Sequence, residues 1–180
     1  MRLFKYEGYK ITIAEEALLL KPFKAIWKRD KSQSKERALS ELGFIYFFCD
    51  VRSDYQYIVD PEERMKEIKI GEGLPESWQP DDLLKEAIEF YNSFKTSSIL
   101  LLEDTRVAVN KFREMLNEIN FRELDNNGKP VYPMNTVLST IKQVPELVKA
   151  LEEAERSIAK EITQSDKVRG SQSKSMYEDM

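Results

Sequence analysis

The sequence predicts a mainly α protein: a helical bundle carrying a small N-terminal β-hairpin and a short β-turn element near residues 121–132. Three observations predict it. Apolar residues recur at spacings of three and four along most of the chain from Ala14 onward. Helix-start signals built from hydroxyl, acidic and proline residues open several of those stretches. Strand and turn chemistry is confined to the first thirteen residues and to the neighbourhood of Asp125-Asn126-Asn127-Gly128. At 180 residues, with 41% hydrophobic and 33% charged side chains, the chain is long enough to bury a core without disulfide or metal staples.

Leu3 to Tyr6 and Tyr9 to Ile13 read as strands joined by a Glu7-Gly8 turn. A two-stranded hairpin is marginal alone, so this one must lie on the helices or join a partner's sheet. Ala14 to Leu20 reads as a short apolar-faced helix interrupted at Pro22, and Phe23 to Arg29 as two further turns. Ser32-Gln33-Ser34 offers hydroxyl caps for a helix from about Lys35 to Asp50. In that helix Ala38, Leu42, Ile45 and Cys49 form one stripe, and Phe44, Phe47 and Phe48 spread the apolar surface round the cylinder, so it belongs at the centre.

Asp60-Pro61-Glu62-Glu63 supplies an N-cap, an N1 proline and an N3 glutamate for a helix to about Ile70, ended by Gly71-Glu72-Gly73-Leu74-Pro75. Pro80-Asp81-Asp82 opens the next, with Leu84, Ala87, Ile88, Tyr91 and Phe94 on its face. After Thr96-Ser97-Ser98 a long helix runs to about Ile119, with Leu101, Ala108, Phe112, Met115 and Ile119 as its bundle seam. Phe121 to Leu124 and Pro130 to Tyr132 flank the Asp125–Gly128 turn as short strands. Asn135 caps a helix through Ile141, and Pro145 opens a last one with Leu147, Leu151, Ala154, Ile158 and Ile162 on one side. The result is one helical domain over 1–164 and a serine-rich polar tail over 165–180, disordered alone or ordered on a partner.

Little in the sequence points to bond-making chemistry. It contains no histidine, the commonest general base and zinc ligand. Its one cysteine, Cys49, sits in an apolar stretch and reads as a small buried hydrophobe. The Asp125–Gly128 turn fails the calcium-loop register: counted from Asp125, Lys129 falls at a ligand position, and counted from Glu123, Met134 falls where a bidentate Glu belongs. Gly71-Glu72-Gly73 lacks the third glycine and the Lys-Ser/Thr of a phosphate cradle. Glu62-Glu63 and Asp81-Asp82 are accounted for by helix N-termini, and Glu152-Glu153 by a solvated helix face. The sequence therefore predicts no enzyme, no metal and no cofactor. Residues 1–13 lack the apolar core of a signal peptide, and the longest apolar runs fall far short of the roughly 20 residues that span a bilayer, so a soluble protein without a membrane partner is expected.

Charge is distributed unevenly. Lys21 to Arg37 holds seven basic residues against two acidic ones, with Phe23 and Trp27 interleaved, whereas Asp60 to Glu89 holds ten acidic against four basic. The basic stretch reads three ways: a solvated face, a surface that docks on an acidic protein, or a track for a nucleic-acid backbone. The net charge of −4 weighs against nucleic acid as the main ligand. Tyr55-Gln56-Tyr57, between two strong helices, either anchors a partner or covers the bundle. The candidate partner-interface residues are Lys24, Trp27, Lys28, Arg29, Tyr55 and Tyr57.

Pro22-Phe23-Lys24-Ala25-Ile26-Trp27-Lys28-Arg29-Asp30, Lys35-Glu36-Arg37-Ala38, Phe44-Ile45-Tyr46-Phe47, Tyr55-Gln56-Tyr57-Ile58-Val59-Asp60-Pro61-Glu62-Glu63-Arg64 and Gly128-Lys129-Pro130-Val131-Tyr132 together resemble a family of small virion proteins of crAss-like tailed bacteriophages. The resemblance spans most of the chain. It implies a structural virion component assembled in the host cytoplasm, and within that a helical ring or adaptor protein of the portal–tail neck. The partners so implied are further copies in a ring, the portal and other neck or tail proteins, with packaged DNA nearby. The competing expectation is a nucleic-acid-binding regulator that uses the basic 21–37 segment.

Overall fold

The computed structural model describes residues 3–7 and 10–168, and the side chains of 3–6 and 10–164 among them. Its architecture is mainly helical with a two-stranded antiparallel hairpin at the N-terminus. Where the sequence predicts one domain, the chain divides into two compact units, Met1–Thr96 and Ser97–Met180.

In the first unit, β1 (Phe4–Glu7) pairs with β2 (Lys10–Ile13), Phe4 opposite Ile13 and Glu7 opposite Lys10. The turn expected between them involves Gly8, which with Tyr9 lies outside the described residues. Of the two settings open to this hairpin, the protein uses its own helices: Leu3 and Phe4 are buried, and the Tyr6 ring meets Phe47 edge to face at 5.2 Å.

The helix expected over Ala14–Leu20 is a 3₁₀ turn, Glu15–Leu19. Pro22 has no N–H to give the Leu18 carbonyl but suits the first turn of a helix, where that N–H would be unpaired anyway, and a new helix begins here. That helix, α1 (Lys21–Arg29), buries Pro22, Phe23 and Ile26.

α2 (Glu36–Cys49) is central as its composition demands, with Ala38, Leu42, Phe44, Ile45, Tyr46, Phe47 and Cys49 all buried. Its start differs from expectation. No serine caps it; Lys35 occupies the cap position in the left-handed region (φ 56°) with no side-chain cap. Asp30 supplies the missing acceptor, taking the Ala38 amide at 3.0 Å, while the Ser32 hydroxyl donates to Asp30 and accepts the Lys35 amide. A carboxylate accepts more bonds than a hydroxyl, and Ser32 serves the loop itself.

α3 (Pro61–Gly71) and α4 (Asp82–Asn92) begin where the sequence places them, Asp60 accepting the Glu63 amide at 2.8 Å and Asp81 the Leu84 amide at 3.0 Å. Gly73, at φ +66°, ends α3 by letting the Leu74 amide return to the Lys69 carbonyl at 2.8 Å. Aromatic rings join these elements: Phe4 stacks on Tyr91 at 5.6 Å, and Phe44 meets Trp78 at 4.8 Å.

The second unit is a helical hairpin of α5 (Ser97–Glu118) and α6 (Met134–Val168). Three expectations are corrected here. The strands at 121–124 and 130–132 reduce to one bridge, Leu124 to Pro130, because proline offers no amide to extend a ladder. The two helices expected around Pro145 are one 35-residue helix with that proline inside it. The expected α5 seam also lies on the wrong side. Leu101 (64% exposed), Ala108 and Met115 (42%) face outward, Phe112 and Ile119 are half-buried, and Leu102 is the buried residue. α6 packs along α5, and its own buried residues among those described are Val137 and Ile158. α6 runs on to Val168, so the expected tail begins inside a helix and its remainder, 169–180, lies outside the described residues.

Candidate interaction surfaces

α1 presents the basic segment, and its fold sorts the cations into two sets. Lys24 and Lys28, one turn apart, are exposed, as are Lys21 and Lys31. Arg29 is not part of that face. Its guanidinium bonds the Glu41 carboxylate at 2.6 Å and also contacts Asp81, tying α1 to α2 and to the start of α4. Arg37 reaches the other Glu41 oxygen at 2.8 Å, so an acid on the central helix is buried because two arginines satisfy it. Lys35 turns inward as well, donating to the Trp27 carbonyl at 3.4 Å and to the Asp30 carbonyl, with its ammonium 5.7 Å from the centre of the Trp27 ring. Trp27 is half-buried against the core. Of the proposed interface residues on α1, Lys24 and Lys28 are available, Trp27 only in part, and Arg29 is committed inside the molecule.

The two tyrosines of the 3₁₀ turn Asp54–Tyr57 also part company. Tyr55 covers the bundle: its ring meets Phe47 at 5.5 Å and its hydroxyl donates to Glu72 at 3.4 Å. Burial raises the pKa of both groups, the adjoining carboxylate adding to the effect on Tyr55. Tyr57 stands 76% exposed.

Sequence reasoning missed a buried polar cluster at the end of α2. Asp50 accepts the Tyr91 hydroxyl at 2.5 Å and the Arg52 guanidinium at 2.5 and 2.8 Å. Burial alone would raise the Asp50 pKa, but the Arg52 contacts and the Tyr91 hydroxyl bring it below the usual value. Burial and the same carboxylate push the Tyr91 phenol well above its ordinary range. Every polar group has its partner, so the cluster fastens α4 to α2 and leaves no poised acid or base. Its only trace in the sequence is Asp50 and Arg52 closing an otherwise apolar helix.

A groove of about 740 Å³ runs along α3, with Met65, Ile70 and Leu74 as its apolar lining and Lys66, Lys69, Glu62 and Glu76 at its edges. Lys69 donates to the Glu76 carbonyl at 3.2 Å, and the lining carries as many acids as lysines. The Asp125–Gly128 segment is a plain turn: the Asp125 carboxylate accepts the amides of Asn127 and Lys129, both at 2.8 Å, and Gly128 has φ +73°. Among the described residues no three His, Cys, Asp or Glu side chains gather as a metal site, and no helix is long and apolar enough to cross a membrane.

The second unit exposes more apolar surface than a finished bundle. Leu100, Leu101, Val107 and Met115 on α5, Met134, Leu138, Ile141 and Val148 on α6, and Phe121 and Leu124 in the connection are each 38–64% exposed. Two helices can bury only their facing stripes, and both of these carry a second one. No family model matches the chain, and neither a curated protein nor a solved structure matches it.

Proposed function

We propose that this chain is a structural virion protein, a ring or adaptor component of the portal–tail neck of a crAss-like tailed phage, working through protein–protein contacts. The observation that carries the reading is the second unit's unburied apolar stripes, a surface of the kind that marks association with other macromolecules. The sequence resemblance gives it its setting. The exposed Lys24 and Lys28 face supplies a second contact, directed at an acidic surface such as the one rich in Asp and Glu between residues 60 and 89 of a neighbouring copy.

The test is the mass of the purified protein alone and after mixing with purified portal rings. A stoichiometric ring of this protein on the portal supports the reading, and no association removes it. Lys24→Glu with Lys28→Glu should weaken that association about tenfold while leaving the thermal midpoint in place. Reversing Arg29 would be uninformative, because it would break the Glu41 contact inside the subunit. The nucleic-acid reading draws on the same Lys21, Lys24, Lys28 and Lys31 face; a gel shift whose affinity falls steeply with salt would favour it instead.

A further inference from the structure

The residues that α5 leaves outside the hairpin form a seam of their own. Leu101, Ala108 and Met115 recur every seven residues, with Thr105 and Phe112 between them, the alternating four-and-three spacing of a helix that packs along another helix. The seam stands about a third of a turn round α5 from the buried Leu102, so both sides of the helix can be covered at once. Thr105 fits an apolar seam because its hydroxyl donates to the Leu101 carbonyl at 2.7 Å and is so satisfied within its own helix. Beside the seam lie Asp104 and Lys111, both exposed and without an ion-pair partner among the described residues.

We propose that this seam is where a second copy of the protein docks, α5 against α5 in antiparallel register, with the two-fold axis at Ala108. That register places Leu101 on Met115 of the other copy and brings the two small Ala108 side chains together at the closest approach. It also sets Asp104 of each copy beside Lys111 of the other, so the charges that are idle in one copy become two symmetric ion pairs. α6 offers no equivalent: a self-pairing of its Met134, Leu138, Ile141 and Val148 stripe about Ile141 would bring the two Lys142 ammonium groups together. The α5 seam is about 22 Å long and buries on the order of 500 Å² per copy, at the low end for specific association, so the dimer is a weak one. A two-fold contact cannot repeat round a single cyclic ring, so this association is separate from ring closure and stands whether or not the protein is a neck component.

Light-scattering mass across a concentration series of the full-length protein reads the contact directly. A monomer–dimer equilibrium is expected, with Ala108→Glu monomeric at every concentration and of unchanged helical content. Asp104→Lys and Lys111→Asp should each weaken the dimer about tenfold, and the double exchange should restore it, since only antiparallel pairing sets these two positions opposite each other. A wild type that stays monomeric, an assembly indifferent to Ala108→Glu, or an exchange that fails to rescue the single reversals would each overturn the proposal. Because no portal protein enters this experiment, its failure leaves the neck reading standing, and the reverse holds too.

Discussion

Asp30 shows how one side chain can hold a helix start that its neighbours cannot. It accepts from the Ser32 hydroxyl, the Ala38 amide and the Ser32 amide, and these bonds hold its carboxyl down to about 2. A depressed native pKa contributes stability that is complete above the ordinary carboxylate value and is lost as pH falls toward the native one. Asp30→Asn should therefore lower the urea midpoint at neutral pH, and the gap to wild type should close between about pH 4 and 2; a gap constant through that window would refute the assignment. Glu41 carries a related load in the core. Glu41→Gln removes the charge that Arg29 and Arg37 share, leaving them the more exposed Asp81, and should cost about 2 kcal/mol, read from chemical denaturation. At Gly71, a Cβ would fall 2.0 Å from the Tyr55 hydroxyl oxygen, so Gly71→Ala must displace that ring. Tyr55→Phe in the same background should recover most of the loss.

At the scale of elements, what could be read in advance depended on how local the deciding physics was. Asp60-Pro61 and Asp81 gave true helix starts because a cap acts within three residues. The start of α2 is not legible locally because its acceptor arrives from Asp30, eight residues before the amide it serves. The sequence marks Pro145 as a boundary, yet α6 runs through it; the interior proline costs about 3 kcal/mol that packing against α5 must offset. Pro145→Ala should accordingly raise the melting temperature of the second unit. On α5 two apolar stripes overlap, and spacing alone does not say which one the hairpin takes. Leu102→Ala should cost about 2–3 kcal/mol, whereas Leu101→Ala should barely change monomer stability, a contrast that circular dichroism melts of dilute protein would expose.

Across the whole molecule, the helical class, the N-terminal hairpin and the central placement of α2 were legible in the sequence, because each rests on the polarity pattern of contiguous residues. The division at residues 96 and 97 was not, since polarity does not report which helices share a core. Of the six candidate interface residues, Lys24, Lys28 and Tyr57 stand ready at the surface, while Arg29, Tyr55 and part of Trp27 are drawn inward by partners distant in sequence. The two units also differ in how firmly they are built. Most buried side chains belong to the first, and among the described residues the second has only Leu102, Val137 and Ile158. Amides of α5 and α6 should exchange with deuterium well before those of α2.

The protein's two tryptophans, Trp27 and Trp78, both belong to the first unit. Emission excited selectively at tryptophan therefore originates in the first unit, while backbone ellipticity reports the α5–α6 hairpin strongly. Followed through one denaturant titration, the two signals form a built-in differential gauge: coincident curves mean that the hairpin unfolds only with the rest, and an ellipticity loss that precedes the emission change measures its autonomy without a label.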